Sequence, residues 1–335
     1  MKVLFIGGTG NISASVSRHA IDRGIDLFLL NRGKSFSNIA GAKSMIGDIN
    51  HAEEMKSALR DHTWDAVVNW IAFHEQDITR DFELFRGKTK QYVFISSASV
   101  YQKPLVFPIV TESTPLANPF WQYSRDKIAC ELALNSYYHQ ERFPVTIVRP
   151  SLTYNTVIPV PLGGWTDYTI VDRIKKGKKI IVHGDGTSLF TITHADDFAK
   201  GFLGLLGHQQ AIGEAFHITS DEILTWNQIY QALAAAVGCE ASMVHIPSDL
   251  LEDLNGELRG SLTGDKATSV IFDNTKIKRF VPEFTAVIPF HRGIQRTIKW
   301  FESDPARKIV KKETNDWMDT IIEQYEKFFK HEGMS

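Results

Sequence analysis

The sequence predicts an α/β protein, a doubly wound parallel sheet followed by a smaller mixed α/β portion toward the carboxyl terminus. Three observations carry this. A wholly apolar run, Val3-Leu4-Phe5-Ile6, ends at Gly7-Gly8 and leads into a helical pattern. Apolar runs and helical patterns then alternate as far as residue 148, as βαβ units do. Beyond Arg149-Pro150 the alternation gives way to turn-rich sequence, with Pro159, Pro161 and Gly163-Gly164 close together.

The elements follow in order. Residues 3–6 have no polar face, which suits a strand covered on both sides. Ile12, Val16, Ala20 and Ile21 recur at helical spacing over 12–23, and Gly24 ends that helix as a carboxyl-terminal cap. A strand over 27–30, a helix over 52–59, a strand over 66–71, a helix over 78–85 and a strand over 92–95 continue the alternation. A helix from Tyr123 and a strand over 145–148 complete it. Past Pro150 come a helix near 170–174, a strand over 180–182, the Gly184-Asp185-Gly186 turn and a helix over 226–237. Residues 194–206 are expected to return to the first sheet. The nucleotide-binding domain is therefore expected at 1–154 plus about 189–212, and a substrate domain at about 155–188 and 213–335. The last helix, about 315–330, is amphipathic through Trp317, Ile321, Tyr325 and Phe328.

Composition narrows the function classes. With 335 residues, 43% hydrophobic and 23% charged, the chain has an ordinary globular make-up. A formal net charge of −2 supplies no overall field toward nucleic acid or anionic lipid, so a small metabolite is the better partner. Two cysteines, Cys130 and Cys239, cannot make a disulfide framework, and the twelve histidines show no pair at metal-ligand spacing, so no metal is expected. No cleavable signal pattern and no membrane-length apolar run are visible, and the expected location is cytoplasmic. A homodimer is compatible with this reading. The Lys175-Lys176-Gly177-Lys178-Lys179 run reads as a solvated turn rather than a nucleic-acid patch. There is no G-x-S-x-G elbow for nucleophilic hydrolysis.

Gly7, Gly8, Thr9, Gly10, Asn11 and Ile12 lie between the first strand and the first helix, where backbone amides and the helix dipole can face a dinucleotide pyrophosphate. In this G-x-x-G-x-x-G pattern the third glycine is Ser13, still small enough for close helix packing. Such a Rossmann-type loop points to NAD or NADP. After the second strand stands Asn31-Arg32-Gly33-Lys34, where an acidic residue would exclude a 2′-phosphate. A guanidinium there favours NADP, whereas stacking of Arg32 on the adenine would leave NAD open. Asp48 and Ile49 are expected beside the adenine, with a helix cap as the alternative role for Asp48. Ile71, Ala72 and Pro150 are counted with the cofactor-binding residues.

Tyr123 and Lys127 are one helical turn apart and share a face. A phenol titrates near pH 10, so it acts at neutral pH only if positive charge depresses its pKa. Lys127, together with an oxidised nicotinamide, is expected to do this, while Lys127 also holds the cofactor ribose. Ser97, just past the strand over 92–95, is expected to orient the substrate oxygen while Tyr123 moves its proton.

These residues together resemble the extended short-chain dehydrogenase/reductase family, also called the NAD-dependent epimerase/dehydratase family. The resemblance extends to the stretch Ser97 to Tyr101, Glu112, Arg149-Pro150, Gly184 to Gly186, His194 to Asp197 and Asp273 to Lys276. It implies reversible hydride transfer between nicotinamide and a carbinol carbon of a sugar or sugar-nucleotide-like substrate. Two departures narrow it. The 4,6-dehydratases of that family carry an Asp-Glu pair after the catalytic Ser/Thr, where this chain has Ala98-Ser99, which disfavours dehydration. Its nucleotide-sugar epimerases place arginines on the pyrophosphate, where this chain has Phe190 and Leu262-Thr263 before Gly264-Asp265; Arg292 or Arg173 is the available substitute. Phe120-Trp121 and Trp165 suit stacking on a sugar or other ring, or a purely structural role. The Asn-Arg-Gly-Lys segment and the carboxyl-terminal landmarks also resemble the branch with plastid stem-loop RNA-binding proteins, so an RNA-binding or cofactor-sensing relative with little turnover is the alternative.

Overall fold

The computed structural model describes residues 1–33 and 39–332; Lys34, grouped above with Arg32, lies outside them. Seven parallel strands form the central sheet, in the order β12-β7-β5-β4-β1-β2-β3. They are β1 (Lys2–Ile6), β2 (Asp26–Asn31), β3 (Lys43–Ile46), β4 (Ala66–Asn69), β5 (Tyr92–Ile95), β7 (Val145–Pro150) and β12 (Ala215–Ile218). The remaining strands pair in twos: β6 (Ile109–Val110) with β15 (Ile271–Phe272), β8 (Leu152–Tyr154) with β11 (Ile192–His194), β9 (Ile180–His183) with β14 (Met243–Ile246), and β10 (Leu189–Phe190) with β13 (Leu224–Thr225).

The apolar run of β1 is covered on both faces, as a central parallel strand requires. Val3 and Phe5 join one core with Val16, Ala20 and Phe202, from helices α1 (Ser13–Asp22) and α6 (Ala195–Leu205). Leu4 and Ile6 join the opposite core with Met55, Phe82 and Leu134, from α2 (Ala52–Ala58), α3 (Glu75–Phe85) and α4 (Gln122–Glu141). A third core fills the mixed portion around Trp226, Phe190 and Tyr154, between α5 (Thr169–Lys175) and α7 (Trp226–Ala236). The strand order reverses on either side of β1, which leaves a crevice at the carboxyl ends of β1 and β4, where ligands of such sheets gather.

The elements differ from the sequence expectations at a few edges. Strand β4 stops at Asn69 rather than residue 71, because the Asn69 side chain accepts from the Ile71 amide (2.8 Å) and turns the chain out of the sheet. Helix α3 begins at Glu75 rather than residue 78, because the Asp77 carboxylate accepts from the amides of Phe73 and His74 (2.8 and 3.0 Å) and draws the first turn back. Helix α6 packs on α1 against the first sheet. The sheet then takes one strand more than the expected limit of residue 212, because β12 pairs with β7, Ala215 opposite Ile147. No helix among the described residues is long and apolar enough to cross a membrane.

Candidate active site

The glycine loop is built by close packing. Gly7 and Gly8 have φ of +91° and +107°, a region open mainly to glycine. A Cβ on Gly8 would stand 2.7 Å from Leu29 Cδ2, while Ser17 of α1 donates to the Gly8 carbonyl at 2.8 Å. Gly10 is different: a Cβ there would meet only Ser13 Oγ, at 3.5 Å, so its bare backbone opens the loop instead of filling it. Ser13, in the third-glycine position, is buried and accepts from the Gly10 amide at 2.9 Å. A tight turn, open space above Gly10 and the amino end of α1 fit a pyrophosphate.

Helix α4 starts directly after Trp121 and carries Tyr123 and Lys127 on one face. Lys127 is buried, and its ammonium donates to the carbonyls of Ala72 (2.6 Å) and Ile95 (2.8 Å), at the ends of β4 and β5. Its nitrogen also stands 4.5 Å from the Phe73 ring centre. Burial is the main reason its pKa falls to about 8. Between that value and the ordinary 10.5 the unfolded chain holds this proton more tightly, so the Lys127 contribution to stability rises with pH across the window. Urea unfolding of the protein and of Lys127→Met at pH 7.5 and pH 9.5 should therefore show the difference moving in favour of the parent protein at the higher pH.

The Tyr123 phenol does not follow the sequence expectation. Its pKa is raised rather than depressed, because burial outweighs the opposing pull of the Ser97 hydroxyl. Lys127 spends its protons on two carbonyls instead of the phenol oxygen. The phenol is thus protonated at neutral pH, poised to give a proton.

Ser97 follows β5 and is held by partners that the sequence reading did not assign. Its Oγ lies 2.9 Å from Ser99 Oγ and accepts from the Ser99 amide at 3.2 Å. Ser124 donates to Ser99 Oγ at 2.8 Å, and Asn118 donates to the carbonyls of Ser99 and Gly264, both at 2.7 Å. If each hydroxyl gives its one proton along this chain, Ser99 donates to Ser97, and the Ser97 proton is left for the Tyr123 phenol or for a substrate oxygen in the cleft. The only sequence signal was local, two further hydroxyl residues beside the expected catalytic ones.

One cleft of about 660 Å³ gathers Gly10, Asn11, Ile12, Ser97, Tyr123, Lys127 and Pro150. Gly7, Gly8, Thr9, Asn31, Arg32, Asp48, Ile49, Ile71 and Ala72 do not line it. Asn11, which lines the cleft, donates to Thr153 O (2.8 Å) and accepts from the amides of Asn155 and Thr156, which ties the loop to the segment after β7. Some of the others have structural contacts of their own. Asp48 accepts from the Asn50 amide (3.0 Å) in the turn before α2, Ile49 is buried, and Ala72 gives its carbonyl to Lys127. Ile71 is exposed above Gly7, where a Cβ on that glycine would stand 3.2 Å from Ile71 Cγ2. Arg32 is exposed.

The substrate end of the cleft is aromatic. Trp121, 5.0 Å from Tyr123 between ring centres, packs on Gly260, whose Cβ would come within 2.2 Å of the indole. Neither proposed substitute arginine reaches this end. Arg173 is buried against Asp319, Asn315 and the Lys179 carbonyl, and Arg292 lines a separate groove with Pro289 and Arg296. Phe190 packs on Trp226 at 5.0 Å, and Leu262 lies in the same core. Among the described residues, no cluster of three His, Cys, Asp or Glu side chains could hold a metal ion.

The profile of the NAD dependent epimerase/dehydratase family matches residues 3–219, more than half of the chain. The chain belongs to this family. The chloroplast stem-loop binding protein of 41 kDa b of Arabidopsis thaliana is 28% identical to this family member over 259 residues, 73% of this chain and 65% of that protein. This chain therefore spans just under two thirds of the length of that relative. The 2'-dehydrokanamycin reductase of Streptomyces kanamyceticus is 22% identical over 250 residues, 74% of this chain and 70% of that protein. The solved structure of DesIV, a dTDP-glucose 4,6-dehydratase from Streptomyces venezuelae determined with NAD bound, shares the fold at a TM-score of 0.73 and 20% identity, covering 91% of this chain and 98% of that one.

Proposed function

We propose that this family member is an NAD(P)-dependent oxidoreductase or epimerase that acts by reversible hydride transfer on a secondary alcohol or ketone of a sugar-like substrate. The observation that carries the reading is the convergence of Gly10, Ser97, Tyr123 and Lys127 on one cleft at the switch point of the sheet. A bound nicotinamide would supply or accept the hydride. The chain's own residues handle the proton: the phenol of Tyr123 gives it to a ketone oxygen and becomes a phenolate, and in the reverse direction that phenolate takes it from the carbinol. Ser97, whose hydroxyl bonds toward the Tyr123 phenol, orients that oxygen. Lys127 holds the carbonyls of Ala72 and Ile95 beneath the reacting groups, and the third proton of its ammonium is left for a ribose hydroxyl. An epimerase lets the keto intermediate turn and returns the hydride to the other face, whereas a reductase releases it. Ala98, next to Ser97, has no proton to offer, so water elimination is disfavoured.

The test follows reduced cofactor after NAD or NADP is added with a panel of secondary alcohols. NADP is the proposed preference, and Arg32→Ala should raise its KM roughly tenfold, the loss of about 1.4 kcal/mol, while sparing NAD. Equal weakening of both cofactors would remove Arg32 from phosphate recognition.

A nucleic-acid role is favoured by one observation, the 28% identity to a stem-loop binding protein. The basic run works against it, because Lys175, Lys176, Lys178 and Lys179 each pair with a carboxylate of this chain (Glu302, Asp172, Asp319 and Glu326). Salt-dependent RNA binding without turnover would reverse this order.

A further inference from the structure

Trp165 combines three properties seldom found together. Its φ is +62°, a left-handed conformation that bulky side chains rarely adopt. It is 50% exposed although it is the largest apolar side-chain type, and it lines the same cleft as Tyr123 and Trp121. Among the described residues, no ring or cation of this chain packs on its indole.

The conformation is imposed by a closed hairpin. The amide and carbonyl of Trp165 bond the carbonyl and amide of Ile158, at 2.6 and 2.8 Å. Gly164 seals the turn, since a Cβ there would stand 2.7 and 2.8 Å from the carbonyls of Val160 and Ile158. Ile158 and Leu162 turn into the core, and Trp165 is left facing the cleft beside Val160. Backbone strain held in place by surrounding structure, with an unpartnered aromatic face as its product, indicates that the partner is a ligand.

The charges of the cleft indicate what kind. Among the described residues its lining contains no arginine and two lysines. Lys127 is committed to two carbonyls at the cofactor end. Lys266 is paired with Asp265 at 2.8 Å, and its nitrogen also lies 5.6 Å from the Trp121 ring. The substrate end is therefore close to neutral, with apolar walls from Trp121, Trp165, Leu152 and Val160. A diphosphate brought into it would lose its hydration, and among the described residues that line it both cations are already engaged.

We propose that the substrate is an uncharged, ring-bearing secondary alcohol or ketone whose apolar face stacks on Trp165, and that nucleoside diphosphate sugars are excluded. The reacting group in this statement rests on the hydride-transfer reading; the neutrality and the stacking rest on the cleft alone.

The test uses the full chain saturated with NADP, with phenyl β-glucoside as the neutral ring probe and UDP-glucose as the charged one. The neutral probe should quench tryptophan emission and raise the melting temperature, and UDP-glucose at the same concentration should do neither. Trp165→Gly should melt at the same or a higher temperature without probe, since glycine relieves the left-handed position, and should bind the neutral probe at least tenfold more weakly. A purely structural Trp165 would instead lower the melting temperature when removed. UDP-glucose binding as tightly as the glycoside, no binding of the glycoside, or unchanged glycoside binding by Trp165→Gly would each overturn the proposal. Hydride transfer is read separately: stacking without transfer to any alcohol would sink the hydride-transfer reading and still support the neutral cleft.

Discussion

Tyr123→Phe is expected to lower hydride transfer by about 10²–10⁴-fold, the usual worth of a positioned proton donor, with cofactor binding close to that of the parent protein. The substitution removes one oxygen and keeps the ring. The contact with Trp121, 5.0 Å away, survives, and so does the packing of Lys127, whose nitrogen sits 5.8 Å from the same ring and bonds two carbonyls rather than the phenol. What disappears is the proton that burial keeps on the phenol at neutral pH. Single-turnover absorbance of the reduced cofactor separates this loss from weakened binding, and turnover within threefold of the parent protein would exclude Tyr123 as the acid/base group. A drop in cofactor affinity as large as the drop in rate would assign Tyr123 to binding.

The second large effect is on stability. Arg149 and Glu131 form a buried, two-pronged ion pair between β7 and α4, with Nη2 to Oε2 at 2.6 Å and Nε to Oε1 at 3.0 Å. Ser96 donates to the same carboxylate at 2.5 Å. The network continues outward: Arg149 donates to Tyr101 Oη (3.3 Å), which lies 3.0 Å from His217 Nδ1, and His217 Nε2 lies 2.8 Å from the Asp273 carbonyl. A carbonyl can only accept, so the proton of the neutral ring is on Nε2 and Tyr101 donates to Nδ1. Burial is the main cause that lowers the His217 pKa, which keeps the ring neutral as this arrangement requires. Arg149→Met would leave the Glu131 carboxylate, 0% exposed, without its counter-charge, and should cost about 3–5 kcal/mol in urea unfolding. Adding Glu131→Met should recover most of that loss, because the cost is that of an isolated buried charge more than of the pair itself. No recovery in the double variant would mean that the pair is a net source of stability.

Much of the architecture was legible because its strands are buried on both faces. Val3 to Ile6 and Tyr92 to Ile95 read as continuous apolar runs, and the glycine loop and the Tyr123–Lys127 spacing are short-range patterns that survive without tertiary information. The parts that were missed are non-local. Ala215 to Ile218 looks like any short strand, and only its pairing with β7 places it in the main sheet. The direction of the Tyr123 pKa shift depends on how deeply the helix is buried, and a spacing of four residues carries no measure of that. Lys127 bonds carbonyls 55 and 32 residues away in sequence. The hydroxyl chain through Ser99, Ser124 and Asn118 likewise forms only when the end of β5 meets the start of α4.

The hairpin that carries Trp165 has a separate consequence. Ile158 and Trp165 exchange both of their backbone hydrogen bonds, so the six residues between them form a cassette whose two ends are already clasped together. Pro159, Val160 and Pro161 of that cassette line the cleft, whereas Leu162 and Gly164 hold it closed, so changes at the first three positions reshape the substrate end while the register of the seven-stranded sheet and the hydroxyl chain around Ser97 stay as they are.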